Sequence, residues 1–413
     1  MKRTFVAVVA ALMITTPLSA CSGNAANGGQ PNINGGSEPV KLTIWHDKED
    51  AVVAALQAEL DKLKPDIIVT LEKKNGLTEA LKMVGNDPKA APDMYFFAHD
   101  KLGVYAEMGI LTPITEFVSA ETLGGFLPMT TQAAMYKGEI YQLPIYFETL
   151  LFMYNRALMP DSSVPTTTEG LLAFMKDVTG GGQYGFVEQH STAYYSAGWI
   201  HGFGGEIISN DGVPQLNGDK TVAALEYHLK FARLMTGESE YATVNTLFKE
   251  GKAAATIGGP WLVPTAREAG IDLGLAKMPV INETGLPIAP YSGVQGLHVL
   301  KVSAGNPEKN TAIKKVLNQL CNTDIGAAMA SASGCAPAFT ACYELESVKT
   351  DDMVMMMSEV AENAVPMPNI PEMDVMWNVA SNMLVDINMR KADVRASADK
   401  AQKQAEDLIK SMK

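Results

Sequence analysis

From Val40 onward the chain alternates short strand-like runs with amphipathic helical stretches, and this alternation restricts the fold more than any other feature. Residues 41–45 read as a strand, and residues 50–63 carry Val52, Leu56, Leu60 and Leu63 at helical spacing. A second strand follows at 66–71, a helix near 79–84 and a third strand at 93–97. Strands separated by helices join through crossovers, so the pattern predicts βαβ units in a mostly parallel sheet covered by helices. In such sheets binding residues gather in the loops beyond the carboxyl ends of the strands.

The later chain keeps the same style. Helices are expected at 166–178 and 222–235, and a buried strand at 253–257 runs into Gly258-Gly259-Pro260-Trp261. The last third is helical, with segments at 310–320, 351–361, 373–389 and 392–412, and there is no short internal repeat. With 413 residues, 47% of them hydrophobic, the chain is long enough for two or three domains around a large core.

The N-terminus has an address of its own. Lys2 and Arg3 precede an apolar run at 5–14 that is too short to span a bilayer. Leu18-Ser19-Ala20-Cys21 then looks like a bacterial lipobox, which makes 1–20 a signal peptide and Cys21 the lipidated first residue. Residues 21–40 read as this lipidated start and a flexible tether, because 22–39 are mostly Gly, Asn, Pro and Ser and bury too little apolar surface to fold. The expected place is the extracellular face of a membrane; the sequence leaves open which one.

The formal charge is −13, and −15 once Lys2 and Arg3 leave with residues 1–20. That argues against nucleic acid, which requires basic patches. Cys321, Cys335 and Cys342 are an odd number, so at least one thiol stands outside any internal pair. Cys335 and Cys342 are close enough in sequence to pair, and nothing in the sequence decides it. No cysteine or histidine spacing resembles a metal site, and no phosphate loop, nucleophile elbow or His-Glu-x-x-His is present, so no cofactor is expected.

Four segments carry a resemblance. Ala98-His99-Asp100-Lys101-Leu102-Gly103 follows the third strand. Leu143-Pro144-Ile145-Tyr146-Phe147-Glu148 leads to Met153-Tyr154-Asn155. Phe248-Lys249-Glu250-Gly251-Lys252-Ala253-Ala254 leads to Thr256-Ile257-Gly258-Gly259-Pro260-Trp261, and Met367-Pro368-Asn369-Ile370-Pro371-Glu372-Met373 stands before Trp377. In this order, over nearly all of 41–413, the chain resembles the extracellular solute-binding proteins of carbohydrate ABC importers, and within them the maltose/maltodextrin-binding branch.

The resemblance implies an α/β protein of two lobes, 41–147 plus 293–332 and 148–292 plus 333–413, hinged around a cleft. It implies a monomer that closes on malto-oligosaccharide and delivers it to the permease subunits of an importer. Sugars present hydroxyls and flat C–H faces, so a sugar cleft mixes acids, lysines and aromatic rings. The residues that match the family's positions are Asp47, Lys48, Glu79, Phe97, Asp100, Lys101, Glu148, Tyr194, Tyr195, Trp261 and Trp377. Phe97 stands where the best-known member has Trp, Lys101 where the family has Arg, and Thr192 where it has an acid. Glu79 also reads as a solvated helix residue. Trp45 and His99 read as structural, and Met353-Val354-Met355-Met356-Met357 as helix core.

Two other classes compete. Glu148 with Asp100 can be cast as the carboxyl pair of a glycoside hydrolase, although no (β/α)₈ pattern is present. A surface adhesin would share the lipobox and tether but has no use for Trp261 and Trp377 at two separate edges. Within the binding class, the departures at Phe97, Lys101 and Thr192 leave room for a different oligosaccharide.

Overall fold

The computed structural model describes residues 38–412. The expected signal peptide, Cys21 and the tether before Glu38 lie outside the described residues. The strands and helices that build the site are, in chain order, β1 (Val40–His46), α1 (Asp50–Leu60), β2 (Ile67–Lys73), α2 (Leu77–Val84), β3 (Met94–Ala98), β4 (Gln142–Thr149) and β5 (Leu151–Asn155). They continue as α3 (Ala193–Gly202), α4 (Asp219–Ala232), β6 (Ala255–Gly258), α5 (Leu262–Glu268), β7 (Leu273–Ala276), β8 (Tyr291–Leu300), α6 (Asp352–Ala361), α7 (Met373–Leu384) and α8 (Val394–Met412).

The strands form two main sheets. The large one runs Ala336–Pro337, β4, β8, β3, β1, β2, with Leu111–Thr112 and Val365–Pro366 also paired to β8. The small one runs β7, β5, β6. β1 is parallel to β2 and β3, and β8 is parallel to Val365–Pro366; β8 is antiparallel to β3 and β4, and the small sheet is antiparallel throughout. This corrects the expectation of a mostly parallel sheet. The βαβ rule governs the first three strands, whereas β4 and β8 carry the chain out of the large sheet and back. Leu150 alone separates β4 from β5, and β8 returns at Tyr291. Ala336–Pro337, beyond the expected 332 boundary, still pairs with β4.

Period-two patterning buries both faces of the large sheet. Leu42, Ile44, Val69, Met94 and Phe96 enter one core, while Trp45 and Tyr95 enter another with Leu77, Leu81 and Tyr105. Each such side chain contributes about 1.5–3 kcal/mol relative to exposure. All five residues of β5 are buried, and they seed the core around the small sheet. A further core joins α3, α4, α7 and α8 through Ala197, Leu225, Met376, Met383 and Ala405.

Trp45 is core, as expected, with its Nε1 donating to Glu72. Met353, Val354 and Met357 are buried in α6, while Met355 and Met356 are half-buried. Cys321, Cys335 and Cys342 are all free thiols. No helix among the described residues is long and apolar enough to cross a membrane.

Candidate functional site

The carboxyl ends of β1 and β3 lie side by side because the two strands are parallel. β1 delivers His46, Asp47 and Lys48. β3 ends in Phe97 and Ala98, and a 3-10 turn over His99–Lys101 then presents Asp100 and Lys101. Lys48 Nζ lies 2.7 Å from Asp47 Oδ1 and 5.3 Å from the Phe97 ring centre. Phe97 and Asp47 also line a cavity of about 300 Å³ with Lys73, Asn75 and Thr78. His99 is structural: Nε2 donates to the Met367 carbonyl at 2.9 Å, and Nδ1 accepts from the Val294 N–H at 3.1 Å. Burial lowers its pKa, consistent with the neutral ring that this pairing needs.

Glu148 sits near the end of β4, where the chain leaves the large sheet. Gln295 Nε2 donates to its Oε1 at 2.8 Å, and the Cys335 thiol donates to its Oε2 at 3.7 Å. Burial pushes the Glu148 carboxyl above its ordinary range; the Lys48 ammonium, Gln295 and Cys335 pull against this, and Asp47 adds to it.

The aromatic residues come from the other elements. Tyr194 and Tyr195 open α3, with ring centres 5.6 Å apart. Tyr194 lies 6.4 Å from Tyr291 and 6.5 Å from Trp377, and Trp377 meets Tyr291 edge-on at 5.6 Å. Burial raises the Tyr194 hydroxyl well above its usual pKa, with Glu148 the next contributor, which puts the phenol in the field of that carboxylate. Tyr195 is 8% exposed; burial pushes its hydroxyl up to about 12, with Gln189 and Trp261 pulling against this. Trp261 stands at the N-terminus of α5 and is 37% exposed, which is unusual for a large ring.

The structure therefore groups Asp47, Lys48, Phe97, Asp100 and Lys101 at one sheet, Tyr194, Tyr195, Trp261 and Trp377 around the other cores, and Glu148 at the junction. Glu79 stands apart: its side chain is 72% exposed and reaches the group only through Lys82, at 3.1 Å. Sequence reasoning missed Tyr291, Gln295, Gln189 and Asp374. A polar Gln295 within the fully buried β8 was a usable signal. So was Asp374, three residues before Trp377 on the same helical face.

A larger cavity, about 470 Å³, lies between Val164, Met278, Ile288 and Val360. It has no aromatic lining, and its one carboxylate, Glu359, is paired with Lys277 at 3.0 Å. It lacks the mixture of rings and acids that the smaller group provides. Among the described residues no three His, Cys, Asp or Glu side chains converge as a metal site.

Residues 51–355 match the model of the bacterial extracellular solute-binding proteins. The chain belongs to that family. It is similar to the maltotriose-binding protein of Pyrococcus abyssi (strain GE5 / Orsay), 29% identical over 90% of this chain and 82% of the relative. It is also similar to the galactooligosaccharide-binding protein of Bacillus subtilis (strain 168), 26% identical over 96% of this chain and 95% of the relative. Among solved structures, a cyclo/maltodextrin-binding protein complexed with maltotetraose superposes with a TM-score of 0.80 at 25% identity, covering 92% of this chain and all of the other. The mixed α/β architecture, two main sheets with helical covers, thus matches the two-lobed fold of these proteins.

Proposed function

We propose that this family member captures malto-oligosaccharides outside the cell, closes on them between its lobes and delivers them to an ABC importer. What supports the reading is that Tyr194, 6.5 Å from Trp377, stands in the field of Glu148 and Asp100, with Lys48 acting on Glu148 in turn. Rings cover sugar C–H faces, and the charged groups take the hydroxyls. A micromolar affinity corresponds to about −8 kcal/mol, within reach of a few stacked rings and charge-assisted bonds. The protein acts as a binder, not a hydrolase, and the test is the absence of shorter products after incubation with the bound sugar. It works as a monomer, held at the membrane through lipid on Cys21.

Calorimetric titration with maltose, maltotriose and longer α-1,4 glucans tests the reading, with lactose, raffinose and cellobiose as controls. Saturable maltotriose binding that weakens in Trp261→Ala and Trp377→Ala is the expected result. The galactooligosaccharide-binding relative favours one second reading, a galactose-containing oligosaccharide in the same cleft. Binding of raffinose or lactose alone would select it.

A further inference from the structure

Helix α7 brings an acid to the cleft that the family match did not single out. Asp374 lies three residues before Trp377, so both project from one face of the helix. Its two oxygens are divided between two cations: Lys101 Nζ is 2.5 Å from Oδ1, and Lys82 Nζ is 3.1 Å from Oδ2. Lys101 and Lys82 come from the 3-10 turn after β3 and from α2, on the large-sheet side. α7 packs in the core of α3, α4 and α8. The three charges therefore bring α2 and the turn after β3 against α7 at the Trp377 end of the group.

We propose that Asp374 is a positioning residue of the binding cleft, which holds the Lys101 ammonium ready for a sugar hydroxyl and ties it to the helix carrying Trp377. The inference rests on the sugar-binding reading and deepens it. Lys101 has one other acid, Asp100, at 3.5 Å, and the shorter contact to Asp374 fixes where its charge sits. The side chains of Lys101, Lys82 and Asp374 are 17%, 28% and 28% exposed, so water and salt screen the group only in part. Burial pushes the Asp374 carboxyl up, but Lys101 and Lys82 outweigh it and keep it below its ordinary range. A lysine is a point charge on a flexible stem, and fixing it beforehand removes that ordering from the cost of binding.

The test is a double-mutant cycle read by maltotriose calorimetry. Asp374→Asn keeps the shape of the side chain and should weaken binding about tenfold. Lys101→Met should weaken it to a similar degree, and the double variant should be no weaker than Lys101→Met alone, because Asp374 acts through Lys101. Losses that simply add, or an unchanged Asp374→Asn affinity, overturn the proposal. A second measurement needs no sugar. In the ligand-free protein the ¹⁵N-labelled Lys101 ammonium should give a slowly exchanging NMR signal that disappears in Asp374→Asn. If the wild type binds none of the sugars, the sugar-binding reading fails while this signal still decides the placement of Lys101; a signal unchanged in Asp374→Asn overturns it.

Discussion

Trp261 can be disabled without being touched. Its ring lies flat over Gly259, where a Cβ would fall 2.2, 2.3 and 2.4 Å from three ring carbons. An alanine there must displace the indole by more than 1 Å, and the ring is free to move because 37% of the residue is open to solvent. The backbone at Gly259 is not left-handed, so alanine fits the local conformation. Replacing Gly by Ala narrows the unfolded ensemble by about 0.4–1 kcal/mol, which offsets the lost packing of the ring on Gly259. Stability should therefore shift by less than about 1 kcal/mol, roughly 3 °C in a melt. A sugar face stacked on the indole removes roughly 80 Å² of apolar surface from water, worth about 2 kcal/mol. Losing it raises the maltotriose Kd about 30-fold. Calorimetry beside a thermal melt should show Gly259→Ala close to Trp261→Ala in affinity and close to wild type in Tm. Wild-type affinity in Gly259→Ala would refute the role of Trp261, and a large fall in Tm would refute the argument that the ring is free to move.

Gly296→Ala should behave in the opposite way: its Cβ would sit 2.1 Å from the Leu143 backbone oxygen at the bulge between β8 and β4, where nothing can swing aside. A loss of about 3 kcal/mol or more in urea unfolding is expected. His298 is fully buried against Tyr95, and burial lowers its pKa from 6.5 to about 3. Between those values the unfolded chain binds a proton that the native state does not, so stability falls as pH drops below 6.5. At pH 4.5 His298 should account for about 2.5 kcal/mol of lost stability, and His298→Phe should remove that part of the pH slope. The Glu148 carboxyl is raised by burial, so sugar affinity should be full above that raised value and decline as pH falls through it. Glu148→Gln should bind more weakly and without this dependence, measured as Kd at a series of falling pH values.

Much of this was legible from local pattern. The strands at 41–45, 66–71 and 93–97 and the helices between them form where periodicity placed them, because each buries a regular face. The antiparallel insertion of β8 was not legible, since the pairing of Thr149 with Ser292, far along the chain, is set by tertiary packing rather than by a local signal. In the site, Phe97, Asp100 and Lys101 were singled out through the resemblance to a family motif, and the fold sets them at the end of β3 and in the turn after it. Tyr291 looked like part of one more buried run, and Asp374 gave no hint of which lysines would face it. Partners brought together by the fold have no sequence spacing to betray them.

The placement of the charged and aromatic groups has a further consequence for closure. Asp47, Lys48, Phe97, Asp100 and Lys101 stand on elements of the large sheet, whereas Tyr194, Tyr195, Trp261 and Trp377 stand on elements of the other cores. A ligand shifts an equilibrium between open and closed forms only by its difference in affinity for the two. A sugar that touches one set gains nothing from closure, so it binds without biasing the lobes. An oligosaccharide long enough to rest on Trp377 or Trp261 while Asp100 or Lys48 takes its hydroxyls gains contacts only in the closed form. Small-angle scattering should then show a smaller radius of gyration with saturating maltotriose and no change with glucose at any concentration. Equal compaction by both would mean that a single ring face suffices, and that the division of the site between the two halves does not drive closure.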